Sequence, residues 1–271
     1  AGREINCMFL HSYHPTPYLI EFGMFKVHWY GFLMVIAGLI GLLLVLRLAK
    51  FYKINKNDIL DLVVYWLIFS IVGARIYYVL YAWELYKDNL LDILKIWQGG
   101  LAVHGIMIGG FLASAVFAWR RKVDIWRLLD LSAIGLCAAQ IFGRWGNYFN
   151  QEIFGKPTNF GWGIPIDAAL RPADYSAFEF FHPTVLYESL GNVVVLFILL
   201  TIFFKIAIPK NIAGLIFASY LMLYSILRFC LEFVRIDYSP MLLGMRWAQI
   251  VSAALIILII FYVCLRNFLK K

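Results

Sequence analysis

The sequence predicts an all-α, polytopic integral membrane protein, and three observations predict it. Of its 271 residues, 63% are hydrophobic and only 15% charged, where a soluble domain is about half apolar and about a quarter charged. The apolar residues come in long blocks rather than at amphipathic spacing, and a helix needs about 20 of them to cross roughly 30 Å of hydrocarbon. The few ionisable residues inside those blocks fall near one depth, which a random scatter would not do.

Seven blocks are read as spanning helices, over residues 29–49, 60–82, 100–119, 127–143, 184–206, 212–233 and 247–266. The fourth is short, apolar only from Leu128 to Gly143, and is expected to be tilted, re-entrant or buried among the others. If the connections after the first, third and fifth blocks and the C-terminus face the cytoplasm, that side holds the larger share of the 24 lysines and arginines. The expected topology is therefore N-terminus outside and C-terminus cytoplasmic. The first block begins near Trp29 and is too long for a signal-peptide core, and the start at Ala1 fits a processed or appended N-terminus.

The net charge of +8 reports topology and contact with anionic membrane lipids. No basic run interleaved with aromatics suggests a nucleic-acid partner. The four cysteines, Cys7, Cys137, Cys230 and Cys264, make no CxxC pair and no metal-ligand spacing. Three of them lie in apolar segments and read as small packing side chains.

Two connections stand out within what is read as a single membrane domain over 1–271. Segment 83–99 alternates Trp83, Leu85, Leu90, Leu91, Ile93 and Leu94 with charges, the pattern of a short interfacial helix. Segment 144–183 is long and rich in Gly, Pro, Asn and aromatics. It is expected to form a small extracytoplasmic loop subdomain, because ordered connections of that length are usually functional.

Ionisable groups in hydrocarbon are costly, so each one calls for a reason. Arg75 and Arg228 lie about 22 and 24 Å from the inner ends of their blocks at 1.5 Å per residue. Tyr30, His104, Arg144 and Glu188 sit at the outer ends of four others. In the sixth block Tyr224, Arg228, Glu232 and Arg235 are spaced four, four and three apart, which puts them on one helix face. Such a stripe can hold an anion at Arg228 while Glu232 orients the guanidinium, whose planar fork suits phosphate and never loses its proton. A structural ion pair or a snorkelling arginine explains the same residues.

His104 lies in GGLAVHG (99–105), followed by Gly109 and Gly110. Gly105 and Gly109 make a GxxxG step for close helix contact. A histidine there can take a proton from a thiol or hydroxyl, or it can be a packing residue. In GRWGNYFNQE (143–152), glycines bracket Arg144, and Asn147, Asn150 and Glu152 follow. His182-Pro183-Thr184 reads as a helix start with a structural histidine, and Asp61 as a helix-start acid. On these residues alone an enzyme and a transporter or scramblase remain level, although only one weak span appears and no matching second broken helix. A non-catalytic lipoprotein-binding factor would not need so many ionisable groups at one depth.

The same residues carry a family resemblance. HWYG (28–31), GARIYYV (73–79), GGLAVHG, GRWGNYFNQE, HPTVLYE (182–188) and RFCLEFVR (228–235) resemble, in order, the motifs of bacterial prolipoprotein diacylglyceryl transferases. Tyr148 stands where that signature has phenylalanine, and Ile106 where the family often has a glycine. The resemblance implies a seven-helix inner-membrane enzyme that moves a diacylglyceryl group from phosphatidylglycerol to the lipobox cysteine of a preprolipoprotein signal peptide. It implies Arg144 and Arg228 as essential arginines and matches His104 to a further important position; the shared depth of the three suggests His104 as base or orienter while the arginines grip the phosphate. Tyr30, Asn147, Glu152, Tyr224 and Glu232 match further important positions, and Arg75, Asn150, Glu188 and Arg235 are read as substrate-binding beside them. No metal or soluble cofactor is expected.

Overall fold

A computed structural model describes residues 9–23 and 25–268, with side chains described through residue 261. Cys7 and the side chain of Cys264 therefore lie outside the described residues. Helices occupy all seven expected places: α2 (Trp29–Ala49), α3 (Lys56–Tyr81), α4 (Val103–Arg121), α5 (Ile125–Phe149), α6 (Thr184–Ile202), α7 (Leu215–Leu231) and α8 (Trp247–Phe268), after a single turn α1 (Phe9–Ser12). Five of them, α2 to α6, are long and apolar enough to cross a membrane, α6 by way of a π-helical extension through Ala207. Leu215–Leu231 and the described part of α8 are shorter apolar helices. The chain is thus a multi-pass membrane protein with five such spans among the described residues, where the sequence suggested seven.

Two local expectations are corrected. The fourth span does not stop at Gly143 but continues to Phe149, so Arg144 sits inside its last turns. The glycines at 143 and 146 do not end the helix. It ends at Gln151, which adopts a left-handed φ of 52°. There the Glu152 N–H donates to the Asn147 carbonyl (3.0 Å) and the Gln151 N–H to the Tyr148 carbonyl (3.0 Å), the paired bonds of a Schellman ending. A residue with a Cβ is disfavoured in that conformation. Its side chain holds it there: Gln151 Nε2 donates to the Pro15 carbonyl (2.9 Å) and to Asp167 (2.7 Å), and Gln151 Oε1 accepts from the Asp167 N–H (2.7 Å).

The second correction is at 83–99, which forms three short 3₁₀ turns, Trp83–Leu85, Leu90–Leu94 and Ile96–Gln98, rather than one interfacial helix. Arg75 ties the segment in this form. Its guanidinium takes the carbonyls of Asp92 (2.7 Å), Ile93 (2.8 Å), Gly99 (2.9 Å) and Gly100 (3.0 Å). The Asp92 carbonyl also accepts from the Lys95 N–H (3.2 Å), so the arginine and a short 3₁₀ turn share that acceptor.

The chain divides into two compact units, Val45–Ser132 and the remainder. In the first, α3 and α4 cross with backbones nearly touching. A Cβ on Gly73 would lie 2.5 Å from the Gly105 carbonyl oxygen, and one on Gly105 or Gly109 would meet the backbone of Gly73 or Phe69. Trp66 Nε1 donates to Ser114 Oγ (2.9 Å) along the same seam. Asp61 pairs with Arg121, a wider reach than a helix-start acid. Tyr52 donates to the fully buried Asp130 (2.8 Å).

In the second unit Gly41 packs on the Gly135 carbonyl, and α7 lies against α6 and α8. Beyond α5 the chain builds a small core of Tyr148, Phe154, Ile164, Ile166, Phe181 and Val185. That core is closed by antiparallel β3 (Ile164–Pro165) and β4 (Phe180–Phe181), with Ile164 opposite Phe181. The α1 turn joins it, where His11 stacks on Phe180 at 4.0 Å and bonds the Gly163 carbonyl (2.8 Å). Two hairpins complete the unit: β1 (Tyr18–Phe22) with β2 (Phe25–His28), and β5 (Met241–Leu242) with β6 (Met245–Arg246).

Candidate active site

The end of α5, the first turns of α6 and the end of α7 converge on an interlocked set of charges. Glu188, 1% exposed, accepts from Arg144 Nη2 (2.7 Å) and from the Tyr224 hydroxyl (2.9 Å), both on Oε1. Arg144 Nη2 also reaches the Tyr224 oxygen at 3.4 Å. One turn along α7, Arg228 Nη1 lies 2.9 Å from Oε2 of Glu232, which is again 1% exposed. Arg246, at the end of the β5–β6 hairpin, places Nε 2.8 Å from the other Glu232 oxygen. These two Glu232 contacts are close ion pairs whose angles fall short of aligned hydrogen bonds.

Arg235 joins the two carboxylates. It stands 4.0 Å from Glu188 and 3.9 Å from Glu232, and donates two hydrogen bonds to Asp237 (2.8 and 3.0 Å). Burial pushes the Asp237 carboxyl up, but the hydrogen bonds and charge of Arg235, together with the charge of Arg246, hold it below its ordinary value. Four guanidiniums thus face three carboxylates, leaving the cluster positive. The excess is not spread evenly. Arg235 is 6% exposed, whereas Arg144 and Arg228 keep 22% and 20% of their side chains open. Those two retain donors for an anion, and the Tyr224 hydroxyl lies in the field of both. Buried carboxylates behind open arginines fix the forks without neutralising the site.

A neighbouring knot ties the end of α5. Asn147 Nδ2 and Asn150 Nδ2 both donate to Glu152 Oε1, at 2.7 and 3.4 Å. Tyr30 packs on the backbone of Gly146, where an added Cβ would come within 2.9 Å of its ring. Trp29 stacks on Phe149 at 4.4 Å. Gly155 presses against His182, Thr184 and Val234, donates to the His182 carbonyl (2.8 Å) and bridges to Arg235.

The structure therefore brings together Arg144, Glu188, Tyr224, Arg228, Glu232 and Arg235, with Asn147, Asn150, Glu152 and Tyr30 around the end of the same α5. His104 and Arg75 belong to the other unit. His104 opens α4, is exposed, and stacks on Tyr77 at 5.6 Å. Arg75 is buried, spends four of its five N–H donors on backbone carbonyls, and lies 5.0 Å from the centre of the Tyr86 ring. Sequence reasoning missed Arg246, Asp237, Gln151 and Gly155. A charge opening an apolar block was the one available signal for Arg246.

The chain is similar to known proteins along most of its length. The family model described as prolipoprotein diacylglyceryl transferase matches residues 17–265. A phosphatidylglycerol–prolipoprotein diacylglyceryl transferase of Trichormus variabilis is 45% identical over 240 residues, covering 88% of this chain and 85% of that protein. Proteins with the same description from Acaryochloris marina and Gloeobacter violaceus are 44% and 42% identical. They cover 88% and 90% of this chain, and 86% and 90% of their own lengths.

Proposed function

This chain belongs to the prolipoprotein diacylglyceryl transferase family, and from that premise we propose that it transfers the diacylglyceryl group of phosphatidylglycerol to the lipobox cysteine of preprolipoproteins in a bacterial inner membrane. The observation that carries the reading is the cluster of four arginines and three acids, positive overall, with Arg144 and Arg228 as its open members. In this reading the cluster lies at the outer leaflet, with the segment around 150–183 outside and the C-terminus in the cytoplasm.

The cysteine thiol, ordinarily of pKa about 8.5, first gives up its proton. The thiolate attacks the glycerol carbon that bears the phosphoester oxygen. The carbon–sulfur bond forms as the carbon–oxygen bond breaks, and the electron pair leaves on the phosphate. The products are a thioether and glycerol phosphate. A phosphodiester carries one negative charge, and the departing monoester about −1.5 to −2 near neutral pH. Charge therefore grows on the oxygens during reaction, and arginines aimed there stabilise the transition state more than the substrate, which accelerates the step.

Arg144 and Arg228 grip the phosphate in this scheme, with Glu188, Tyr224, Glu232 and Arg235 holding them in place. His104 is the base or orienter for the thiol. If His104→Gln retains near-normal turnover, a required proton transfer at that residue is wrong. Asn147, Asn150, Glu152 and Tyr30 shape the substrate-facing end of α5. Arg75 serves by fixing the 83–100 segment rather than by touching lipid.

The test is incubation of purified protein with phosphatidylglycerol and a lipobox peptide, followed by mass spectrometry. Wild type is expected to add a diacylglyceryl group to the peptide cysteine, and Arg144→Ala to lose that activity. A folded, lipid-supplied wild type that adds nothing would sink the reading, and lipid-translocation assays would then test the transporter alternative.

A further inference from the structure

Glu232 divides its two oxygens between two arginines. Oε2 lies 2.9 Å from Arg228 Nη1, and Oε1 lies 2.8 Å from Arg246 Nε. A carboxylate facing one arginine alone tends to accept two parallel N–H bonds from it. Here the second oxygen is occupied from the far side, so Arg228 is engaged through one nitrogen only.

Arg246 is itself held for that task. Its remaining nitrogens donate to the carbonyls of Arg235 and Asp237, and Asp237 Oδ2 lies 3.7 Å away. The Arg246 N–H donates to the Oε1 of Gln249, a 5% exposed side chain one turn into α8 (3.1 Å). The hairpin before it turns through Leu243 and Gly244, both at positive φ (53° and 74°), as tight hairpin turns require. Every nitrogen of the Arg246 guanidinium is thus turned towards the protein.

We propose that Arg246 is a positioning residue of the arginine cluster, occupying Glu232 so that Arg228 keeps its outer donors for the phosphate of the lipid. The inference rests on the function read above and deepens it. Two effects follow from removing Arg246. Glu232 Oε1 loses the cation that faces it, and a buried carboxylate left with less compensating charge draws Arg228 into a closed pair. The cluster also falls from four guanidiniums against three carboxylates to three against three, and its attraction for an anion falls with it.

The experiment compares wild type, Arg246→Ala, Arg246→Lys, Glu232→Gln and the Arg246→Ala/Glu232→Gln double variant. It measures turnover with separate titrations of phosphatidylglycerol and lipobox peptide. It also measures direct binding of phosphatidylglycerol against phosphatidylcholine in nanodiscs. Groups sharing one ion-pair network couple by about twofold to a hundredfold. Arg246→Ala is expected to raise KM for phosphatidylglycerol and lower kcat within that range, with KM for the peptide unchanged. Arg246→Lys restores the charge but not the fork, so lipid binding recovers while kcat recovers only partly. The double variant should be no worse than Glu232→Gln, by lipid binding where turnover is too low to read.

Wild-type turnover with unmoved Arg246→Ala kinetics would overturn the assignment. So would additive losses in the double variant, or equal losses for lipid and peptide that track a fall in Tm. Should Arg246→Ala fail to fold, Arg246→Lys carries the test, and an unchanged kcat and lipid KM in that variant overturns the assignment. A wild type without turnover fails the functional reading instead, and is told apart by that control.

Discussion

Arg75 and Arg144 are both arginines set in apolar helices, and the two units use them in opposite ways. Arg75 donates to four backbone carbonyls, is 7% exposed and has the Tyr86 ring beside it. Arg144 leans on one buried carboxylate and one phenol and leaves a fifth of its side chain open. Carbonyl partners carry partial charge only and consume donors one at a time, so Arg75 is committed to structure. A single carboxylate orients a guanidinium from one edge, so Arg144 has its other edge available. The chemistry of the partners separates these two roles.

The sharpest way to break that contrast is to truncate both arginines. Arg144→Ala should leave the fold standing and lower turnover by about 10²–10³, the usual loss for one charge-stabilising donor. Arg75→Ala should instead orphan the carbonyls of Ile93, Gly99 and Gly100, each worth roughly 1–3 kcal/mol if left unpaired, while Asp92 keeps its bond from the Lys95 N–H. Its signature is faster proteolysis within 83–100 and a lower Tm, with phosphatidylglycerol affinity in the surviving folded protein unchanged. Equal and parallel effects of the two variants on lipid affinity would erase the distinction.

A smaller effect is expected at the base of the arginine site. Gly146→Ala drives a methyl towards the Tyr30 ring, and such overpacking costs about 1–3 kcal/mol. A drop in Tm with Tyr30→Ala restoring most of it would locate the strain at that contact.

The smallest effect concerns pH. Burial lowers the pKa of His182 below 6.5, and its Nδ1 meets the Tyr187 hydroxyl at 3.0 Å. The folded state then binds its proton less readily than the unfolded state. Its contribution is present above the unfolded value of about 6.5 and is lost as pH falls through the folded value. A Tm that declines modestly on acidification below 6.5, and declines less in His182→Gln, is the expected record. Asp237 gives no slope near neutrality, because its lowered pKa delays any loss until below the ordinary carboxylate range.

How much was legible in the sequence follows the range of each interaction. The helix-7 stripe could be read because Tyr224, Arg228 and Glu232 share a face by spacing alone, and the structure gathers them with Glu188 and Arg144. Block hydropathy located the helices but not the end of α5. The usual terminator is a glycine, and here Gln151 takes the left-handed position because Pro15 and Asp167, far off in sequence, hold its side chain. The pattern of 83–99 suggested a helix for a similar reason, since nothing local announces that Arg75 will claim its carbonyls. Arg246 and Asp237 escaped notice because their partner Glu232 and neighbour Arg235 lie across a turn that periodicity cannot see.

The three glycines at the crossing of α3 and α4 have one further consequence. With no room for a Cβ at Gly73, Gly105 or Gly109, the two helices fit like a key with a single cut. Rotating either by one residue drives a side chain into a backbone carbonyl, and sliding by one turn does the same. Such a pair has one register and resists shear. His104, one residue before Gly105, inherits its compass bearing from that fit: the direction in which its side chain leaves the helix is set by residues that carry no side chain at all.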